Sequence, residues 1–353
     1  MPPKEKEVTI YDIAAKLNIS VTTVSRALKD DPVVNKKTRK KIADLAEEMG
    51  YRSNHFARNL RNQRTDTIGV IVPRLNSYFM STVIAGMENA ANSAGYNLII
   101  SQSSESVLKE KENAKTMFNN RVDGLLVSLA YDTQNIEHFE SFFKKNIPLI
   151  FFDRVAEHKN CTNVVIDNRK AAYEATSHLI SQGCKKIVHI TATPKRNVYV
   201  DRLRGYKQAL ADHKIPFKDD WVIISNLSQE AGFEAGEKIL KMKTLPDGVF
   251  VANDNAAVGC MLAVKQAGLK IPEDIAFVGF NNDPVSKVIE PNLTTIDYPG
   301  YVMGEVAARN LIEHLTGDPQ LHSTNTIYLR SELIIRESSI KQPRATSYEQ
   351  RAF

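Results

Sequence analysis

Hydrophobic residues near the start of the chain recur at helical spacing in three successive stretches. In the first stretch they lie three and four positions apart, at Ile10, Ile13, Ala14 and Leu17. This spacing predicts a short amphipathic helix. Residues 21–28 and 35–49 repeat the pattern, and each stretch predicts a further helix. Together they predict a small all-helical domain.

Polar residues mark the ends of the first two helices. Thr9 followed by Asp12 is typical of a capping box, and Ser20 suits the N-cap of the second helix. Asn18 between them suits the left-handed backbone of a tight turn. A helix, a tight turn and a second helix form a helix-turn-helix, whose second helix enters the DNA major groove. The candidate DNA-binding residues on that helix are Val21, Thr22, Thr23, Ser25 and Arg26.

The positive charge of the chain is concentrated at the same end. Residues 1–66 hold 14 Lys and Arg against 9 Asp and Glu, a net charge of +5 that equals the formal net charge of the whole chain. The remaining residues are balanced, at 32 against 32. Such segregation is expected when one end of a protein meets a polyphosphate. We therefore predict double-stranded DNA as a partner, although a well-capped helical hairpin of another kind can show a similar pattern.

Several motifs resemble the LacI/GalR family of bacterial transcription factors. They are Val-Thr-Ile-Tyr-Asp-Ile-Ala at 8–14, Thr-Val-Ser-Arg at 23–26 and Thr-Arg-Lys-Lys-Ile at 38–42. Residues 50–60 resemble the family's hinge, which becomes helical on the operator and enters the minor groove. Leu60 takes the position of an apolar wedge between base steps, and Ala57 lies one turn earlier. The chain departs from the family pattern at Asn18, usually glycine, and at Phe56, usually a smaller aliphatic residue.

Beyond residue 66, short apolar strands alternate with helices. One set of strands is predicted at 68–72, 97–101, 124–129 and 148–152, and a second at 163–166, 186–191, 221–225, 248–252 and 275–280. This alternation predicts two doubly wound parallel sheets. The resemblance implies that they form the two lobes of an α/β periplasmic-binding-protein-like body.

The expected organisation has four parts. Residues 1–52 form the helix-turn-helix domain, 53–66 the hinge helix and linker, 67–340 the effector-binding and dimerisation body, and 341–353 a disordered tail. Within the body, we expect 67–164 and 294–325 in the first lobe and 165–293 and 326–340 in the second.

Polar residues follow several of the predicted strands. Ligands of doubly wound sheets bind beyond the carboxyl ends of the strands. The resemblance implies that Asp153, Arg202, Asn253 and Asn281 contact sugar hydroxyls, since these side chains combine hydrogen-bond donors with acceptors. Tyr78 and Phe79 are expected to stack on the apolar face of a sugar. Taken singly, each polar residue can also be an ordinary helix cap or surface pair.

Three positions in the sequence leave it undecided whether the effector is neutral or anionic. Asn281 stands where the family commonly carries Asp, which weakens the assignment of a neutral sugar. If Lys195 and Arg196 line the cleft, a sugar phosphate or a sugar acid becomes the better candidate. If both are solvated loop residues, they carry no information about the effector.

The favoured function is a DNA-binding transcriptional regulator, in the family's commoner mode a repressor, that is controlled by a small-molecule effector. We expect a homodimer, because pseudo-palindromic operators mirror a twofold protein. A sugar-binding transport protein with the same body would need an export segment in place of residues 9–28. A sugar-modifying enzyme would need a phosphate-binding glycine motif or a catalytic set, and neither is recognisable in the sequence.

Compartment and cofactors follow from simpler features. The first residues are charged, and no run approaches the roughly 20 apolar residues of a membrane span, so we predict a cytoplasmic protein that does not enter a membrane. Three widely spaced cysteines, Cys161, Cys184 and Cys260, indicate neither a disulfide framework nor a zinc site. No metal or other cofactor is predicted.

Overall fold

The computed structural model describes residues 8–51, 64–317 and 326–341. The chain divides into two compact units, Met1–Thr65 and Asp66–Phe353. Three helices are described in the first unit: α1 (Ile10–Leu17), α2 (Val21–Ala27) and α3 (Lys36–Glu48). Ile13, Val24 and Ile42, one from each helix, are fully buried in its core. The predicted hydrophobic faces are therefore the packed ones.

The turn between α1 and α2 has the predicted local structure. Asn18 ends α1 with φ at 51°, in the left-handed region. The Asp12 carboxylate accepts hydrogen bonds from the Thr9 backbone N–H at 2.8 Å and from the Thr9 hydroxyl at 2.7 Å. The Ser20 hydroxyl accepts one from the Thr23 N–H at 3.1 Å and caps α2. The helix-turn-helix is thus fixed by short-range polar contacts as well as by its core.

The second unit contains two six-stranded sheets. The first sheet contains β1 (Thr67–Val72), β2 (Asn97–Gln102), β3 (Gly124–Val127), β4 (Leu149–Phe152), β5 (Cys161–Ile166) and β11 (Thr326–Leu329). The second sheet contains β6 (Ile187–Thr191), β7 (Val222–Ile224), β8 (Gly248–Val251), β9 (Ala276–Asn281), β10 (Thr294–Asp297) and β12 (Glu332–Ile334).

Eight α-helices are described in this unit. They are α4 (Tyr78–Ser93), α5 (Val107–Asn119), α6 (Glu140–Lys144), α7 (Asn168–Ser181), α8 (Asn197–Asp212), α9 (Gln229–Leu240), α10 (Asp254–Gln266) and α11 (Gly300–Thr316). Among the helices that the structure describes, none combines the length and apolar character needed to cross a bilayer.

The two sheets have the same strand order. It runs β2-β1-β3-β4-β5-β11 in the first and β7-β6-β8-β9-β10-β12 in the second. All pairs are parallel except β10 with β12, which is antiparallel. The prediction of two doubly wound, mostly parallel sheets is confirmed. Each sheet is the centre of one lobe.

Three strands lie in a different sheet from the one predicted. The sequence pattern groups residues 163–166 with the second set of strands, yet β5 pairs with β4 in the first sheet. The sequence predicts residues 294–297 in the first lobe, yet β10 pairs with β9 in the second sheet. The sequence predicts residues 326–329 in the second lobe, yet β11 pairs with β5 in the first sheet. The hydrophobic pattern identifies a strand but not the sheet that it joins. The chain in fact crosses between lobes after β5, after β10 and between β11 and β12.

Helices α4 and α11 pack with almost no side chain between them. A Cβ built on Gly304 would lie 1.8 Å from the Val83 carbonyl oxygen, and one built on Gly86 would lie 2.0 Å from the Tyr301 carbonyl oxygen. Both distances are far shorter than a van der Waals contact. The absence of a side chain at these positions therefore lets the two helix backbones meet, and this contact anchors α11 to the first lobe.

We expect Gly304→Ala to destabilise the second unit by about 1–3 kcal/mol, because the added methyl forces the two helices apart. Thermal unfolding should show a Tm several degrees lower. Glu88→Ala, at an exposed position of α4, is the control and should leave the Tm nearly unchanged. An unchanged Tm for Gly304→Ala would show that the contact can relax freely.

Candidate functional site

A cavity of about 740 Å³ lies between the two lobes, where strands of both sheets end. Its size falls in the range of small-molecule sites. Residues that follow the first-sheet strands line one side, and residues that follow the second-sheet strands line the other. Because the carboxyl ends of the parallel strands in both sheets face the cleft, side chains from loops of both lobes meet there.

Five of the six predicted effector-contacting residues line this cavity. They are Phe79, Asp153, Arg202, Asn253 and Asn281. Tyr78 is not among the lining residues, and 51% of its surface is exposed. Neighbouring helical residues point about 100° apart, so the first turn of α4 directs Phe79 and Met80 toward the cleft and Tyr78 away from it. The predicted stacking role of Tyr78 is not supported by its position.

Lys195 and Arg196 also lie outside the cavity lining. Arg196 instead donates a hydrogen bond to the Thr133 carbonyl of the opposite lobe. Burial lowers the pKa of this guanidinium. These two cations therefore give no support to an anionic effector.

Arg202 is a buried cation held by neutral groups. Its Nε donates to Asn168 Oδ1 at 2.9 Å, and one terminal nitrogen donates to the Ala252 carbonyl at 2.7 Å. The guanidinium also stacks on Phe280, with its carbon 3.6 Å from the ring centroid. Among the described residues it forms no ion pair, although it is only 4% exposed. Burial accordingly lowers its pKa, and the remaining N–H groups are free to meet a ligand.

Asp153 is the buried carboxylate of the same cavity. One oxygen accepts from the Tyr298 hydroxyl at 2.8 Å, and the other accepts from the Ser128 hydroxyl at 3.3 Å. Burial raises its pKa, while Arg154, Tyr298 and Arg202 oppose that rise. Its φ of 57° lies in the left-handed region. A carboxylate oxygen has more than one acceptor site, so Asp153 retains capacity for a ligand hydroxyl.

The two asparagines differ in how far the protein already uses them. Asn253 Oδ1 accepts from Ala256 N at 2.8 Å and caps α10, while its Nδ2 donates to the Leu227 carbonyl at 2.9 Å. It therefore serves as a helix cap and keeps only part of its hydrogen-bonding capacity for a ligand. Asn281 ends β9 with φ at 113°. Asn281 therefore combines a left-handed backbone with a position in the cavity wall.

Sequence reasoning missed a polar cluster on the first-lobe rim. Glu105 Oε2 accepts from Arg154 Nη1 at 2.6 Å and from Tyr131 N at 3.1 Å. Its other oxygen lies 3.3 Å from Arg74 Nε. All four residues line the cavity. They lie just beyond strands β1 to β4, and this position beyond the carboxyl ends of parallel strands is the sequence signal that identifies them.

Aromatic side chains supply the apolar part of the wall. Phe79 stacks on Tyr298 with ring centroids 4.3 Å apart. The Arg154 guanidinium lies over the Tyr199 ring, with its carbon 5.6 Å from the ring centroid. The ring centroids of Tyr131 and Tyr199 lie 6.4 Å apart across the cleft. Such faces suit the C–H surface of a sugar ring.

Several hydrogen bonds join the lobes around this cavity. Tyr131 OH donates to the Thr193 carbonyl at 3.1 Å, and Arg154 Nη2 donates to Tyr199 OH at 3.2 Å. Asn197 accepts from Val155 N at 3.0 Å and donates to the Asp153 carbonyl at 2.9 Å. The structure therefore shows the lobes in contact along the cavity.

The second helix of the helix-turn-helix presents a mixed surface. Thr22 and Arg26 are exposed, Val21 and Ser25 are half-buried, and the Thr23 hydroxyl lies 2.8 Å from that of Ser20. Arg26 Nε lies 4.0 Å from the Asp31 carboxylate, an exposed and weak pair. Thr22 and Arg26 are thus the most available to DNA, whereas Thr23 also serves the cap. Ala57 and Leu60 lie outside the described residues.

Two family models match the chain. One, described as bacterial regulatory proteins of the lacI family, matches residues 9–54. The other, described as a periplasmic binding protein-like domain, matches residues 176–339. They cover the helix-turn-helix and most of the second lobe.

Whole-chain relatives extend this similarity. The chain is 33% identical to catabolite control protein A of Priestia megaterium, over 87% of this chain and 92% of that protein. It is 30% identical to the ribose operon repressor of Haemophilus influenzae, over 94% and 98%. The Lac repressor dimer bound to operator and the anti-inducer ONPF has the same fold, with a TM-score of 0.84 at 24% identity over 95% of this chain and all of that one.

Proposed function

Because this chain belongs to the LacI family of bacterial regulatory proteins, it is a DNA-binding transcription regulator, and we propose that it is a repressor whose operator affinity is set by a neutral polyhydroxylated effector of the sugar class. The effector binds between the two lobes. The function is binding rather than catalysis, and the site of action is the bacterial cytoplasm, where the operator DNA lies.

The hydrogen-bonding composition of the cavity is the observation that carries this proposal. Arg202 offers donors, Asp153 offers acceptors and Asn281 offers both, beside the aromatic faces of Phe79 and Tyr199. A polyol presents the matching mixture of hydroxyl donors, hydroxyl acceptors and apolar C–H surface. The ribose operon repressor among the relatives is consistent with a sugar.

The charge balance of the cavity favours a neutral effector over an anionic one. Arg74 and Arg154 share the single carboxylate of Glu105, and the lining as a whole holds three arginines against Glu105, Asp153 and Glu230, so its formal charges balance. Asp153 is bonded within the protein and opposes the charge of Arg202. Lys195 and Arg196, which would favour an anion, are outside the lining.

A thermal-shift screen of the full-length protein against neutral sugars, sugar phosphates and sugar acids tests this function. A neutral sugar at 100 times its Kd should stabilise the protein by about 2.7 kcal/mol, which raises the Tm by several degrees. Selective stabilisation by an anionic sugar alone would contradict the proposal.

We expect Arg202→Lys to weaken effector binding by about 100-fold or more, because the fork and its stacking on Phe280 are lost while the charge is kept. Operator binding without effector should persist and shows that the variant is folded. Calorimetric titration with the sugar found in the screen provides the measurement. Normal affinity in the variant would remove Arg202 from the site.

DNA recognition is proposed to use α2, with Val21, Thr22, Ser25 and Arg26 toward the major groove and Ala57 and Leu60 of the hinge toward the minor groove. Thr23 is assigned chiefly to the cap. Arg26 combines exposure with the capacity to donate two hydrogen bonds to a guanine edge.

Arg26→Ala should cost about 1–3 kcal/mol in binding to the operator obtained by in vitro selection, and much less on random DNA. Lys16→Ala is the matched control, since it also removes an exposed cation of this domain, one that pairs with Glu48. Mobility-shift titrations at fixed salt give both affinities. Equal losses on both DNAs would make Arg26 a phosphate contact only.

We propose that a second copy of the chain packs against the exposed edge strands of the two sheets. β2 and β7 are the terminal strands of their sheets, and Ile99, Ile100 and Ile224 on them are exposed. Uncovered apolar edge strands promote association. A twofold dimer buries them against their equivalents and supplies the symmetry that a palindromic operator needs.

Ile99→Lys combined with Ile100→Lys should convert the dimer to a monomer, because like charges then meet across the twofold axis. Sedimentation velocity should show the change in mass. Lys substitution at exposed Leu108, on α5, is the control for an added charge on an apolar surface. A double variant that stays dimeric would place the interface elsewhere.

A further inference from the structure

The loop after β2 holds Glu105 in a fixed position at the cavity rim. Ser104 and Glu105 both have left-handed φ, at 52° and 62°, which costs free energy for residues with side chains. The loop is braced by a hydrogen bond from Leu75 N to Gln102 Oε1 at 3.0 Å and by another from Gln102 Nε2 to Ser104 Oγ at 3.0 Å. The protein therefore maintains an unfavourable backbone that places one carboxylate between two arginines.

Glu105 occupies groups that would otherwise bind anions. Its oxygens meet Arg154 at 2.6 Å and Arg74 at 3.3 Å, and Arg154 is further engaged by Tyr199. Burial alone would lower the pKa of Arg154, yet Tyr199, Glu105 and Asp153 together raise it. An arginine fork matches phosphate and carboxylate geometry when it is free. Here that fork is already filled.

We propose that Glu105 determines the charge specificity of the cleft: it acts as a built-in anion that occupies Arg74 and Arg154, so that the cavity accepts neutral ligands and rejects phosphorylated or acidic ones. This inference rests on the proposed function of the cleft as the effector site. Without Glu105 the lining would hold three arginines against Asp153 and Glu230. Two of those arginines would lack a carboxylate partner, and the pocket would attract anions.

The test uses inorganic phosphate as the probe and Glu105→Gln as the variant. Gln keeps the shape of Glu and an oxygen for Tyr131 N but removes the charge. We expect phosphate to bind the variant at least 10-fold more tightly than the unaltered protein, by calorimetric titration at constant ionic strength. A purely structural brace would lower the Tm without any gain in phosphate affinity.

Two further variants locate the effect. Glu230→Gln removes the same charge from an exposed carboxylate of the same cavity that forms no ion pair among the described residues. It should give a much smaller gain. Arg154→Met added to Glu105→Gln removes the freed fork and should abolish most of the gain. An equal gain with Glu230→Gln, or a full gain without Arg154, would overturn the proposal.

The outcome is separable from that of the proposed function. If the unaltered protein binds no neutral sugar but Glu105→Gln gains phosphate, the sugar assignment fails and the role of Glu105 stands. If the unaltered protein binds a neutral sugar and Glu105→Gln gains no phosphate, the function stands and this inference fails. Tight phosphate binding by the unaltered protein would overturn both.

Discussion

The direction of the parallel strands is the constraint on which the cleft depends. Strands β1 to β4 and strands β6 to β10 each deliver their carboxyl ends to the cavity, so residues distant in sequence converge there without a dedicated scaffold. The sharp turns after these strands are made by residues with positive φ, among them Glu105, Asp153, Leu227 and Asn281. Left-handed turns cost free energy, but they aim polar groups across the gap between lobes. The hydrophobic strands behind them supply the stability that permits this cost.

The buried arginines have different partners on the two sides of the cavity. In the second lobe Arg202 contacts an amide, a carbonyl and an aromatic face, and none of these groups carries a negative charge. In the first lobe Arg74 and Arg154 share the carboxylate of Glu105, which offsets part of their positive charge. A ligand with hydroxyl groups can use both environments, because it accepts from Arg202 and donates to Asp153 without bringing a net charge into a partly dry site.

Much of this could be predicted from sequence, for physical reasons that are local. The left-handed Asn18 follows from the turn chemistry of one residue, and Asp153 and Asn281 follow from their positions at the ends of predicted strands. Arg202 lies within α8, and only the family resemblance pointed to it. The predictions that are wrong concern features that depend on tertiary packing. Nothing in the pattern of Tyr78 and Phe79 tells which ring faces the cleft. Apolar strands do not reveal the sheet that they join, so the predicted sheets of β5, β10 and β11 are wrong. The pairing of Glu105 with two arginines also needs the folded structure, because it joins loops of three different strands.

The same topology explains how a small ligand in the cleft changes the arrangement of the two lobes. Three chain crossings join the lobes, and the direct hydrogen bonds between them, such as Tyr131 to Thr193 and Arg154 to Tyr199, lie around the cavity. A ligand in that cavity touches the same groups, so it adds to or competes with the contacts that set the angle between lobes. Allosteric coupling typically needs only about 1–3 kcal/mol of differential interaction. A few hydrogen bonds made in one lobe arrangement and lost in the other are sufficient for that difference.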